Sequence, residues 1–239
     1  MRNWVWSLLG VAAVLTSACH KAPAPNAAGP RPMTMAARQT QADLYPVTPG
    51  SRWQYVLRSR QADGSVTNRP MAIAITGATP RADGVVEATM EREYQSWSPP
   101  TTRVLRHPDK VVLSRLSDPI DGPSITVLRT PFEPGASWPG RPLSGGNSET
   151  IRAIGLEEVT VPAGTFKAYR VDHEIRYATG DGDTLNYWYA PGVGVVKMIE
   201  RTPLYQQGAP LRLQVTGELE TYTIGPAAPT LSSRGSAAK

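Results

Sequence analysis

Between positions 159 and 199 apolar and polar residues alternate with a period of two. Tyr169, Val171, His173, Ile175 and Tyr177 fall on one side, and Arg170, Asp172, Glu174 and Arg176 on the other. Such a period is the mark of a half-buried strand. Pro162-Ala163-Gly164 breaks the run that begins at Val159, and Thr179-Gly180-Asp181-Gly182-Asp183 reverses the chain after Tyr177, since these residue types tolerate turn conformations. An aromatic run over 185–189 resumes the strand, and Ala190-Pro191-Gly192-Val193-Gly194 turns it into 195–199. Four strands this close in sequence form an antiparallel meander, because each parallel crossover needs a dozen or more residues of its own.

The same alternation predicts strands over 53–60, 71–76, 85–94, 103–107, 111–116 and 125–129. In the closing segment 211–224, Leu211, Leu213, Val215 and Leu219 alternate with Arg212, Gln214, Glu218 and Glu220. One motif, P-x-x-P-G-x-x-W, occurs twice, from Pro46 to Trp53 and from Pro131 to Trp138. The segments downstream of the two copies come in the same order: 74–77 is answered by 153–155, 85–94 by 165–177, and 104–112 by 188–196. The pattern predicts one all-β domain over 44–224, a weak internal duplication with halves 44–129 and 130–224. Its antiparallel meander would form a curved open barrel or two packed sheets. With 23 Pro and 21 Gly spread through the chain, helix is nearly excluded after the N-terminus.

The flanks read differently. Arg2 followed by the apolar run 4–15 and small residues forms an export signal over 1–18, too short to span a bilayer permanently. Its end, Leu15-Thr16-Ser17-Ala18-Cys19, resembles the lipobox of bacterial lipoproteins, with Thr16 in place of the commoner aliphatic residue. That resemblance implies acylation of Cys19, anchorage to a membrane through the acyl chains and, with His20 rather than Asp next in line, sorting to the outer membrane. The alternative is an ordinary secretory signal cleaved after Ala18. Cys19 is the single cysteine of the chain, so no disulfide framework is available. The segment 20–43 is a Pro- and Ala-rich tether, and 225–239 is a tail of similar composition; neither can bury a core.

Chemistry is sparsely signalled. The chain of 239 residues carries a formal charge of +5 and three histidines. Its basic residues are interleaved with acidic ones rather than clustered, which argues against nucleic acid. His107 precedes Pro108 in a turn, and His173 lies between Val171 and Ile175 on a core-facing pattern. No nucleophile elbow, zinc-protease motif or phosphate loop is present, and Asp181-Gly182-Asp183 lacks the remaining ligands of a calcium loop. Neither cofactor nor metal is expected, and no catalytic residue is nominated. The aromatic balance is more informative: six Trp and nine Tyr stand against two Phe. Amphipathic rings of this kind line cavities and interfaces, and equally they fill cores.

Tyr45-Pro46-Val47-Thr48-Pro49-Gly50-Ser51-Arg52-Trp53, the run Val161-Pro162-Ala163-Gly164-Thr165-Phe166, and Tyr189-Ala190-Pro191-Gly192-Val193-Gly194-Val195-Val196-Lys197 resemble recurring blocks of a family of bacterial lipoproteins without an established activity. The resemblance spans 45–224 and implies an envelope location. Such domains are similar in architecture to the curved open barrels of periplasmic lipoprotein carriers, which hold acyl chains on a concave face. The expectation is a non-enzymatic, outer-membrane-anchored domain that binds a lipid or apolar small molecule in the hollow of its sheet. The candidate lining residues are Trp53, Tyr55, Trp138, Tyr169, His173, Tyr187 and Tyr189. A scaffolding module for another envelope protein is the alternative.

Overall fold

The computed structural model describes residues 44–60, 64–95, 97–206 and 209–225, with side chains at all of these except 204–206 and 209–212. The export signal, Cys19, the tether and the tail expected from the sequence lie outside the described residues. Twelve strands succeed one another: β1 (Arg52–Arg60), β2 (Val66–Pro80), β3 (Val86–Tyr94), β4 (Thr102–Arg106), β5 (Lys110–Arg115), β6 (Ser124–Arg129), β7 (Ser137–Pro139), β8 (Ser148–Val161), β9 (Gly164–Arg176), β10 (Thr184–Ala190), β11 (Gly194–Gln206) and β12 (Ala209–Thr223). Among the described residues, no helix is long and apolar enough to cross a membrane.

All twelve strands belong to one antiparallel sheet, in the order β6-β5-β4-β3-β2-β1-β12-β11-β10-β9-β8-β7. Every sequential pair is adjacent except β6 and β7, which occupy the two edges. Laid flat, a sheet of this width would part its edges by roughly 50 Å. The link 130–136 reaches at most about 25 Å, so the sheet must curl until its edges face each other. The result is a nearly closed barrel with one unsealed seam, which settles the choice left open by the alternation in favour of a single sheet. Across the seam Trp138 Nε1 donates to the Thr126 carbonyl at 2.7 Å, and the Arg129 guanidinium lies 5.4 Å from the Trp138 ring centroid.

The residues that alternate inward from both six-strand runs share one core. Trp53, Tyr55, Met71, Ile75, Met90, Val104, Ile151, Val171, Tyr189, Val196 and Leu219 are all buried in it. The two P-x-x-P-G-x-x-W stretches also fold alike. Gly50 and Gly135 both have positive φ, 82° and 88°, the left-handed region that favours glycine. Gly50 N donates to Ile75 O at 2.8 Å, and Gly135 N to Ala153 O at 2.8 Å. Immediately after those partners each strand carries a bulge, between Ile75 and Gly77 in β2 and between Ala153 and Gly155 in β8. The junctions differ, however: β1 pairs along its length with β12, whereas β7 and β6 are not hydrogen-bonded neighbours.

Three elements depart from the alternation. β2 begins at Val66 and includes Pro70, which is tolerated because β3 reaches only as far as Met71, leaving Pro70 paired on the β1 side alone. β7 is too short to show a period, and β8 begins at Ser148, within a stretch of Gly, Asn and Ser that reads as loop. Replacing Trp138 by Phe keeps the ring but removes the donor to Thr126; a loss of about 1 kcal/mol in urea-induced unfolding is expected.

Candidate functional site

The barrel has unlike ends. At one, the links 81–85, 107–109, 162–163 and 191–193 are tight, and 44–51 and 130–136 fold inward as a floor. Leu44, Val47 and Phe132 are buried there. Trp53 Nε1 donates to Val193 O at 2.6 Å, and Tyr55 Oη to Val195 O at 2.7 Å. Tyr169 packs on Phe132 with ring centroids 4.7 Å apart. Tyr189 lies between Tyr45 and Tyr187, 6.3 Å from each. Of the seven aromatic and histidine positions singled out from the sequence, Trp53, Tyr55, Tyr169 and Tyr189 thus pack at or toward the floor, and Trp138 bridges the seam. His173 and Tyr187 reach further, toward the end with the longer links 95–101, 116–123, 140–147 and 177–183.

At that mouth the inner wall turns polar. Glu149 is opposite Ile175, and Ile151 opposite His173, so the Glu149 and His173 side chains are diagonal neighbours on the inward face. Glu149 Oε1 meets His173 Nδ1 at 3.0 Å, and its Oε2 accepts from the Arg141 backbone N at 2.9 Å and from Arg141 Nε at 3.0 Å. Both buried partners are nearly inaccessible, with side-chain exposures of 5% for His173 and 1% for Glu149. Gly140 makes the arrangement possible, because a Cβ there would stand 2.3 Å from Glu149 Cγ. Burial alone would raise the Glu149 pKa, but the hydrogen bonds from His173 and Arg141 outweigh it and bring the carboxyl down to about 2. An ionised Glu149 can only accept, so Nδ1 of His173 carries the hydrogen between them. The other ring nitrogen, Nε2, is buried without a hydrogen-bond partner. The imidazole meets the Tyr187 ring edge-on at 5.2 Å.

Beside this pair, Asp183, immediately before β10, accepts the Tyr177 hydroxyl at Oδ2, while its Oδ1 is buried and unpartnered. Burial and the Asp183 carboxylate push the Tyr177 hydroxyl up. Glu200, at the rim, is opposite Leu185; burial and the repulsion of Asp183 raise its pKa. Tyr187 is pushed up to about 12 by burial and by Glu200. On the facing wall Arg92 Nη2 donates to Thr102 Oγ1 at 3.0 Å, and its Nε is buried without an acceptor. Glu149 and His173 resemble the acid and base of a hydrolytic triad, yet no nucleophile is bonded to Nε2. What the arrangement offers is a set of fixed, unmatched hydrogen-bonding groups. Among the described residues no three His, Cys, Asp or Glu side chains converge to hold a metal ion.

Of the residues at this end, the sequence singled out His173 and Tyr187; it did not single out Glu149, Arg141, Asp183, Glu200 or Arg92, which the fold places beside them. Asp183 lies in what reads as a hairpin turn, and the turn is indeed closed by Tyr177 N to Asp181 O at 2.8 Å. The outer wall carries a second polar group, and it is internally matched. Arg170 holds Asp172 in two hydrogen bonds of 2.7 and 2.8 Å, Asn186 bonds Asp172 at 2.7 Å, and Arg201 bonds Asn186 at 2.7 Å. A groove of about 300 Å³ along β1–β3 is bordered by Arg52, Ala72, Ala74, Glu91, Arg92 and Glu93 together with the link after β3.

A family model described as DUF3108-like matches residues 151–200. The match includes the second and third sequence blocks and not the opening Tyr45–Trp53 block. No curated protein matches the chain. Among solved structures, a Bacteroides fragilis protein described as exported and of YmcC-like fold is 15% identical with a TM-score of 0.49; the alignment covers 75% of this chain and 98% of that one. A protein from Parabacteroides distasonis, described as a lipoprotein, is 17% identical with a TM-score of 0.46, over 75% and 98% of the two chains. MucB, solved in complex with MucA, is 10% identical at a TM-score of 0.16, over 77% and 92%. None of these comparisons points to a catalytic family.

Proposed function

We propose that this protein is a non-enzymatic domain of the bacterial cell envelope, exported and anchored through an acylated Cys19 to the outer membrane. Its β-barrel, built by duplication of a six-strand unit, binds a small amphipathic ligand at the polar mouth. One observation carries the reading: His173 Nε2, Asp183 Oδ1 and Arg92 Nε are all buried and unpartnered. Leaving such groups unmatched costs about 1–3 kcal/mol each, and a ligand or its attendant waters would remove that cost. The apolar part of the ligand rests against Tyr187, which stands between this polar rim and the packed floor. Because that floor is occupied by the protein's own Trp53, Tyr55 and Tyr189, the ligand sits at the mouth rather than filling the barrel as an acyl carrier's cargo would.

Native mass spectrometry of the full chain, extracted from bacterial envelopes in mild detergent, tests this. A co-purifying small molecule near one-to-one is the expected result, and a clean apo mass would refute the ligand reading. A second reading, a scaffold for another envelope protein, is favoured by the unsealed seam. β7 covers β8 only over 150–152, and β6 is hydrogen-bonded to β5 alone, so both edges present backbone groups of the kind that a partner strand pairs with.

A further inference from the structure

The chemistry of the unmatched groups narrows the ligand. Asp183, in the turn just before β10, lies close enough to Glu200 of β11 to repel it, and neither forms an ion pair among the described residues. The cation that reaches this part of the mouth, Arg141, has its Nε bonded to Glu149. Asp183 is 8% exposed, and its Oδ1 has no donor. His173, 4% exposed, adds a second unsatisfied position: its Nε2 is buried without a partner, and with Nδ1 donating to Glu149 the uncharged form of the ring offers Nε2 as a bare acceptor. The mouth therefore holds an excess of negative charge and of acceptors, beside an aromatic ring. A metal ion is not matched by these side chains. An ammonium group is: it brings positive charge, three N–H donors and an affinity for an aromatic face.

We propose that the mouth recognises a primary ammonium group, held by Asp183 and Glu200 with His173 Nε2 as a further acceptor. The inference rests on the ligand-binding reading above and names the chemistry of the ligand's polar end. Arg92 on the facing wall, with its free N–H, is placed to take an anionic or carbonyl group on the same ligand. An aminoalcohol lipid headgroup and a free amine share this chemistry.

Titration calorimetry on the full chain in mild detergent distinguishes them, with ethanolamine, dihexanoyl-phosphatidylethanolamine and dihexanoyl-phosphatidylcholine as probes. The ethanolamine lipid is expected to bind at least about tenfold more tightly than its trimethylated counterpart, whose nitrogen cannot donate. Ethanolamine binding as tightly as the lipid would identify a free amine, and binding of the lipid alone a headgroup. Asp183→Asn is expected to erase the preference. Glu200→Gln, which keeps the size of the side chain at the rim and removes its charge, is expected to weaken it several-fold. Equal binding of the two lipids to the wild type, or failure of all three probes alongside a co-purified ligand lacking an amine, overturns the ammonium inference and leaves the ligand reading standing. Failure of all probes together with a clean apo mass overturns both.

Discussion

Glu149→Ala is expected to lower the free energy of unfolding by about 3 kcal/mol, because it removes a buried charged acceptor and leaves the His173 donor unsatisfied. The substitution strands His173 Nδ1 inside the barrel and releases Arg141, whose backbone N and Nε both bond Glu149 Oε2. It also empties space that Gly140 leaves for the carboxylate side chain. Urea denaturation at neutral pH measures the loss. The pH dependence provides an independent check. The folded-state pKa of Glu149, about 2, is depressed from an ordinary 4.5, so its stabilisation is complete above the unfolded value and disappears as pH falls from about 4.5 toward 2. A shift of that size corresponds to about 3 kcal/mol. Wild-type stability should therefore fall across this window, and Glu149→Gln should flatten that part of the curve. A Glu149→Ala variant as stable as wild type would mean that the polar mouth is not organised as described.

Trp53→Ala is expected to be comparably severe, about 3–5 kcal/mol. Trp53 is buried at the floor, and its ring packs near Gly194, where an added Cβ would lie 3.8 Å from Nε1. Its indole donates to Val193 O across 140 residues of sequence. The side chain thus fastens the first strand of the barrel to the β10–β11 turn, as Trp138 at the matching place in the second half fastens β7 to β6. Trp53→Phe, which keeps most of the ring and loses the donor, should cost roughly 1–2 kcal/mol. Thermal or urea unfolding of the three proteins separates packing from hydrogen bonding. Since Trp53 lies at the opposite end from the mouth, neither substitution should alter the ligand preference of molecules that remain folded.

The alternation of side chains determined by itself that this is an antiparallel β protein. Tyr169, Val171, His173 and Ile175 face inward as their period requires, and the turns at Pro162-Ala163-Gly164, Thr179–Asp183 and Ala190–Gly194 fall where Gly and Pro place them. The repeated P-x-x-P-G-x-x-W motif was legible because its turn depends on local residue chemistry. A period of two, however, says which face a residue occupies and nothing about which strand lies beside it. The pairing of β1 with β12, some 160 residues apart, and the decision to curl one sheet rather than stack two, come from closing the chain around a shared core.

The mouth was hidden for the same reason. Glu149 sits in Ser148-Glu149-Thr150 after a glycine-rich turn, and only the β8–β9 register brings it to His173, 24 positions away. Asp183 reads as a turn residue until Tyr177 and the strand beside it enclose it. Local sequence fixes backbone conformation because steric and hydrogen-bonding preferences act over a few residues. Burial, unmatched polar atoms and the shared field of Glu149, Asp183, Glu200 and Arg141 arise only when distant strands converge, and those were decided by the tertiary structure.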